Sequence, residues 1–85
     1  MIKFTKHGIQ RMNQRGVTKE MIELTVEYGK YFNDKIILKS RDIKKLLTKV
    51  SKEVKAKLMK ILDKGGLVVV ISDDFAVITV YNRTI

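Results

Sequence analysis

Apolar positions along this chain follow two periods, and the switches between them mark its elements. Residues 1–4 are too few to show a period; they add an edge strand or simply pack. Thr5 then suits the N-cap of a first helix ending near Arg15, with Gly16 as its left-handed terminator. Thr18 caps a second helix, which Met21, Ile22, Leu24, Val26 and Tyr28 give a buried side and Gly29 stops. In residues 30–40, Tyr31, Phe32 and Ile36-Ile37-Leu38 surround the turn signal Asn33-Asp34-Lys35, predicting one or two short strands.

From Arg41 the period becomes helical. Ile43, Leu46, Leu47, Val50, Val54, Leu58, Ile61 and Leu62 keep to one side, while lysines 45, 49, 52, 55, 60 and 64 fill the rest. Unbroken, about 21 such residues span about 30 Å; Ser51 is the point at which the helix would divide, and Gly65-Gly66 ends it. Leu67-Val-Val-Val-Ile71 is apolar on both faces, as in a central strand, and Ser72-Asp-Asp74 turns the chain back. In the returning strand Val77, Thr79 and Tyr81 should share one face, and Ala76, Ile78 and Val80 the other. The order α-α-β-α-β-β predicts one α+β domain: two N-terminal helices and a lysine-rich helix over 42–64, packed on a small antiparallel sheet.

Composition narrows the function. With 85 residues, 45% of them apolar, the chain can fold around one modest core. It has no cysteine, hence no disulfide or thiolate chemistry, and its single histidine argues against a transition-metal site. No apolar run approaches the roughly 18 residues of a membrane span, and residues 1–16 do not resemble a signal sequence. A soluble cytoplasmic protein without a cofactor is expected.

Charge is unevenly placed: 18 Lys+Arg face 9 Asp+Glu, a net +9. Residues 1–16 carry four bases and no acid, and residues 39–64 are net +7, whereas residues 17–29 are net −2. Clustered bases suit a polyanion partner, RNA first. Lysine outnumbers arginine 14 to 4, however, and composition alone also makes small lysine-rich proteins basic. The aromatic residues do not interleave with the bases in an RNA-recognition pattern.

His7, Arg11 and Arg15 follow one another at i, i+4 and i+8 and fall within about 80° of one helix face. Cations so placed repel by a few tenths of a kcal/mol per pair, so an anion lying against them makes sense of the row. Arginine forks bind phosphate oxygens, and a histidine can move a proton near neutral pH. Together they suit phosphodiester cleavage without a metal. The same spacing also fits an ordinary solvated helix face. Thr79, Tyr81 and Arg83 alternate down the last strand and could present two hydroxyls and a guanidinium to the same ligand, although threonine and tyrosine are favoured in strands anyway. Arg41 is a further candidate for substrate contact.

The two ends of the chain resemble a known pattern. Phe4-Thr-Lys-His7-Gly-Ile-Gln-Arg11-Met-Asn-Gln-Arg15-Gly16-Val-Thr18 is similar to the opening of a small bacterial and phage family of unknown function, "His-Ala-x-x-Arg-Met-x-x-Arg-Gly-Ile-Ser/Thr". Ala76-Val-Ile-Thr79-Val-Tyr81 resembles its "Ile-Thr-Val-Tyr" ending. That family is grouped with the barnase/EndoU/colicin/RelE (BECR) assemblage of metal-independent RNases and toxins. The resemblance implies His7, Arg11, Arg15 and Tyr81 as catalytic positions and Thr79 as a substrate contact, with the first helix lying across the sheet edge from the last strand. Gly8 replaces the commoner Ala and weakens the helix by up to ~1 kcal/mol. The helix over 42–64 occupies what is often a short loop or hairpin.

Three functions compete on this basis. The first is a metal-independent endoribonuclease of BECR type, a toxin or mobile-element factor. The second is a non-catalytic nucleic-acid-binding or host-interacting module of phage or plasmid origin. The third is a module whose basic helix docks an acidic antitoxin or immunity protein.

Overall fold

The computed structural model describes residues 2–83 and shows an α+β fold of four helices packed on a five-stranded mixed sheet. The elements are β1 (Lys3–Phe4), α1 (Lys6–Arg15), α2 (Lys19–Tyr28), β2 (Lys30–Phe32), β3 (Lys35–Lys39), α3 (Ser40–Leu46), α4 (Lys52–Asp63), β4 (Gly66–Ile71) and β5 (Ala76–Asn82). The sheet runs β1-β5-β4-β3-β2, so the doubly apolar β4 is central, as its sequence predicts.

Local capping sets the helix boundaries. Thr5 Oγ1 accepts from Gly8 N at 2.9 Å, and Gly16 closes α1 at φ 65°. Thr18 Oγ1 accepts from Met21 N at 3.2 Å. Ser51 does divide the lysine-rich segment: its hydroxyl accepts from Val54 N at 3.3 Å and starts α4, leaving α3 as a separate helix.

Two expectations need correction. The sheet is not wholly antiparallel, because β1 pairs in parallel with β5, Lys3 opposite Ala76 and Phe4 opposite Val77. Nor does β5 alternate simply. Val70 pairs with Thr79 but Ile71 pairs with Val77, so Ile78 is an extra residue in a β-bulge. The bulge resets the phase. Val77 and Val80, three apart, both enter the core, while Ile78 is exposed.

All four helices contribute to one core. Met12, Met21, Ile22, Leu24, Ile43, Leu58 and Ile61 pack with Ile36, Leu38, Leu67, Val69, Ile71, Val77 and Val80 of the sheet. Of the alternate strand residues, Ile37, Val70, Thr79 and Tyr81 stand outside that cluster and are partly buried, while Val68, flanked by Ile37 and Tyr81, is buried but also outside it. One face of the sheet therefore carries the helices, and the other is open among the described residues.

The first helix is seated on the outer edge of β5. Val77 O accepts from Thr5 Oγ1 at 2.7 Å, and the backbone of Gly8 lies so close that an added Cβ would fall well inside contact distance of that oxygen. Gly8 is there for close approach. At the far end, Lys64 Nζ donates to Arg15 O at 2.9 Å and ties the end of α1 to the end of α4.

Two stability effects follow. Gly8→Ala should lower stability by about 1–3 kcal/mol despite alanine's better helix propensity, because the clash is with backbone; urea unfolding of the two proteins checks it. Lys64→Met should cost about 0.5–1.5 kcal/mol and speed amide exchange in the last turn of α1 relative to its first.

Candidate functional site

Around the axis of α1, at about 100° per residue, Met12 lies about 40° to one side of Gly8. Arg15, Arg11 and His7 lie about 20°, 60° and 100° to the other side. Met12 is buried in the core and Gly8 rests on the edge of β5. Arg11 and His7 thus occupy the flank of α1 turned away from Met12 and the core, while Arg15 lies nearly in line with Gly8. All three side chains are exposed.

Within the row, Arg11 Nε donates to His7 Nε2 at 3.4 Å, at the long end for a hydrogen bond. That assigns Nε2 as the acceptor, and in the neutral ring the proton then sits on Nδ1. The Nε2 lone pair thus faces the Arg11 guanidinium, and it is free for another donor only when Arg11 turns aside.

Cross-strand partners share a face, so the register shows what else the open side carries. Thr79 pairs with Val70, and Tyr81 pairs with Val68. Both hydroxyl residues are half-buried and belong to the open face, on the strand against which α1 is seated. Arg83 N donates to Gly66 O at 3.3 Å, which continues the ladder one rung and puts Arg83 in the row of Lys39 and Gly66. Gly66 brings no side chain to that row, and its own backbone is buried against Leu38 and Lys39. Thr79, Tyr81 and Arg83 therefore share one face of the sheet, and α1, which carries His7 and Arg11 on an exposed flank, is seated on the edge of the same strand; Arg15 lies at the end of α1 that Lys64 ties to α4.

Arg41 is elsewhere. It is exposed on α3, about 160° round from the buried Ile43. Nothing in the register carries it to the open face. The lysines of α4 lie on the helical side: Leu58 and Ile61 pin that helix to the core, Lys52, Lys55, Lys57 and Lys60 are exposed there, and Lys60 lines the same concavity as Gly16, next to Arg15.

Two concavities also lie on the helical side. One, of about 330 Å³, is lined by Glu20, Glu23, Leu24, Glu27, Val54 and Lys57, and the other, of about 410 Å³, includes Gly16, Met21 and Lys60. The first gathers the acids of α2, and a carboxylate lining repels phosphate. Among the described residues, no group of three or more His, Cys, Asp or Glu side chains is arranged to hold a metal ion. No described helix is long and apolar enough to cross a membrane.

Sequence reasoning missed the lysines of β2 and β3 as part of this surface. Lys30 pairs with Ile37, and Lys35 pairs with Val70, so Lys30, Lys35 and Lys39 all share the face of Thr79 and Tyr81. Their alternation from 35 to 39 was the available signal.

No curated protein and no solved structure matches the chain significantly. A family model described as a domain of unknown function, DUF4258, does match, over residues 4–82. That span runs from the end of β1 to the end of β5 and takes in both the α1 row and the Thr79–Tyr81 strand. The chain belongs to the DUF4258 family.

Proposed function

We propose that this protein is a metal-independent endoribonuclease of BECR type, a cytoplasmic toxin or mobile-element factor that works on the open face of its sheet. One observation supports the reading: α1, with the His7–Arg11–Arg15 row exposed, is seated on β5, the strand that carries Thr79 and Tyr81.

The chemistry follows from these groups. With Arg11 turned from His7 onto the phosphate, His7 Nε2 takes the proton of a ribose 2′-hydroxyl, and the freed O2′ attacks the adjacent phosphorus. The bond from phosphorus to the 5′-oxygen breaks, and that oxygen takes a proton from the Tyr81 hydroxyl; water then carries the proton gained by His7 back to the tyrosinate. A 2′,3′-cyclic phosphate and a free 5′-hydroxyl result. Arg11 and Arg15 hold the phosphate and stabilise the charge that builds on its oxygens. Thr79 orients the substrate, and Arg83 adds a phosphate contact at the end of β5.

The test is incubation of the purified protein with structured and single-stranded RNA in EDTA, beside His7→Ala. Loss of a positioned acid–base group should slow cleavage by about 100-fold or more, with RNA affinity nearly unchanged because the arginines remain. Equal cleavage by the two proteins would remove His7 from the mechanism.

A second reading, a non-catalytic nucleic-acid-binding module, is favoured by the exposed lysines of α4. The two surfaces separate by charge reversal. Paired Lys39→Glu and Arg83→Glu should weaken RNA binding and lower its salt slope by about one per lost phosphate contact. Paired Lys55→Glu and Lys60→Glu should do so only if α4 is the binding surface. An acidic antitoxin or immunity protein remains the partner proposed for a toxin of this charge.

A further inference from the structure

Phe32 is the most exposed large apolar side chain among the described residues, at 63%. It ends β2 at a two-residue hairpin turn, Asn33-Asp34, in which Asn33 takes φ 57°. Its neighbour Tyr31 belongs to the other face, opposite Ile36, and stacks on Phe75 with ring centroids 6.5 Å apart. Phe32 is carried by register to the open face.

Two rows of that face run the full way from β5 to β2. Thr79 pairs with Val70, Val70 with Lys35, and Lys35 with Phe32. Tyr81 pairs with Val68, Val68 with Ile37, and Ile37 with Lys30. The rows therefore start at two hydroxyls on β5 and end at an aromatic ring and a lysine three strand spacings away, about 14 Å. The charged strand residues on this face, Lys30, Lys35 and Lys39, are all cationic.

We propose that Phe32, with Lys30 and Lys35, is a stacking subsite for an unpaired base of single-stranded RNA laid across the open face. The inference rests on the open face being an RNA surface, and it names the form of RNA that surface takes. Every base has a π-face that can stack on an aromatic ring, and flanking lysines hold the phosphates on either side. Bases inside a duplex have no free face to offer. The other use of an exposed edge, addition of a partner strand, is poorly served here: β2 has only three residues and opens with a lysine, which are features that discourage edge pairing.

The chain has no tryptophan, so Phe32→Trp introduces a single fluorescent reporter at the subsite. Adding single-stranded oligoadenylate to that variant should quench its emission, and an abasic strand of the same length should not. By anisotropy, Phe32→Ala should bind the oligoadenylate about tenfold more weakly than the unaltered protein. It should bind the abasic strand equally well. Circular dichroism of both variants confirms that the fold is kept. If the unaltered protein binds the strand and Phe32→Ala binds it within twofold, the subsite is refuted while the RNA reading stands. If the unaltered protein binds no RNA, both fail. A change in sedimentation of Phe32→Ala with unchanged RNA affinity assigns the ring to a protein contact and overturns the proposal.

Discussion

The architecture depends on one backbone contact, the seating of Gly8 against the carbonyl of Val77. β1 covers the outer edge of β5 only at Ala76 and Val77, and α1 takes over from there. A side chain at position 8 would push the helix outward and tilt its flanks. Because Gly8 lets the helix sit down, Met12 can reach the core on one side while Arg11 and His7 stay exposed on the other. The glycine that looks like a weakness by helix propensity thus sets the orientation of the whole cationic row.

Charge is distributed around this frame in layers. The acids of α2 line a concavity on the helical side, and the open face carries bases. The two are separated by at least one packing layer, about 8–10 Å, which is comparable with the Debye length of about 8 Å at physiological salt. The potential over the open face is therefore set mainly by its own lysines and arginines. The lysine-rich segment keeps that face clear: α3 and α4 pack through Ile43, Leu58 and Ile61 on the core side, so the extra helices enlarge the core without obstructing the surface.

What the sequence reveals and what it hides divide along the line between local and long-range interactions. Thr5, Gly16, Thr18 and Ser51 are legible because a cap bonds residues three or four positions away. The apolar run of β4 marks its central place because burial on both faces leaves no polar position. The parallel pairing of β1, the bulge at Ile78 and the meeting of Phe32 with Lys35 and Thr79 depend on partners distant in the chain. Alternation fails in β5 for the same reason, since one inserted residue turns every later side chain to the opposite face. The His7–Arg11–Arg15 row was visible as a spacing. Which side of the molecule it faces became apparent only with Gly8 against β5.

The Thr5 to Val77 bond joins positions 72 residues apart. Contacts this distant form late, because loop closure must precede them. As a chain leaves the ribosome from its N-terminus, α1 emerges with its histidine and arginines long before β5 exists to receive it. Until then the row has no edge to sit on and no hydroxyls beside it. A truncated product lacking β5 would carry the cations of α1 without the strand on which that helix is seated.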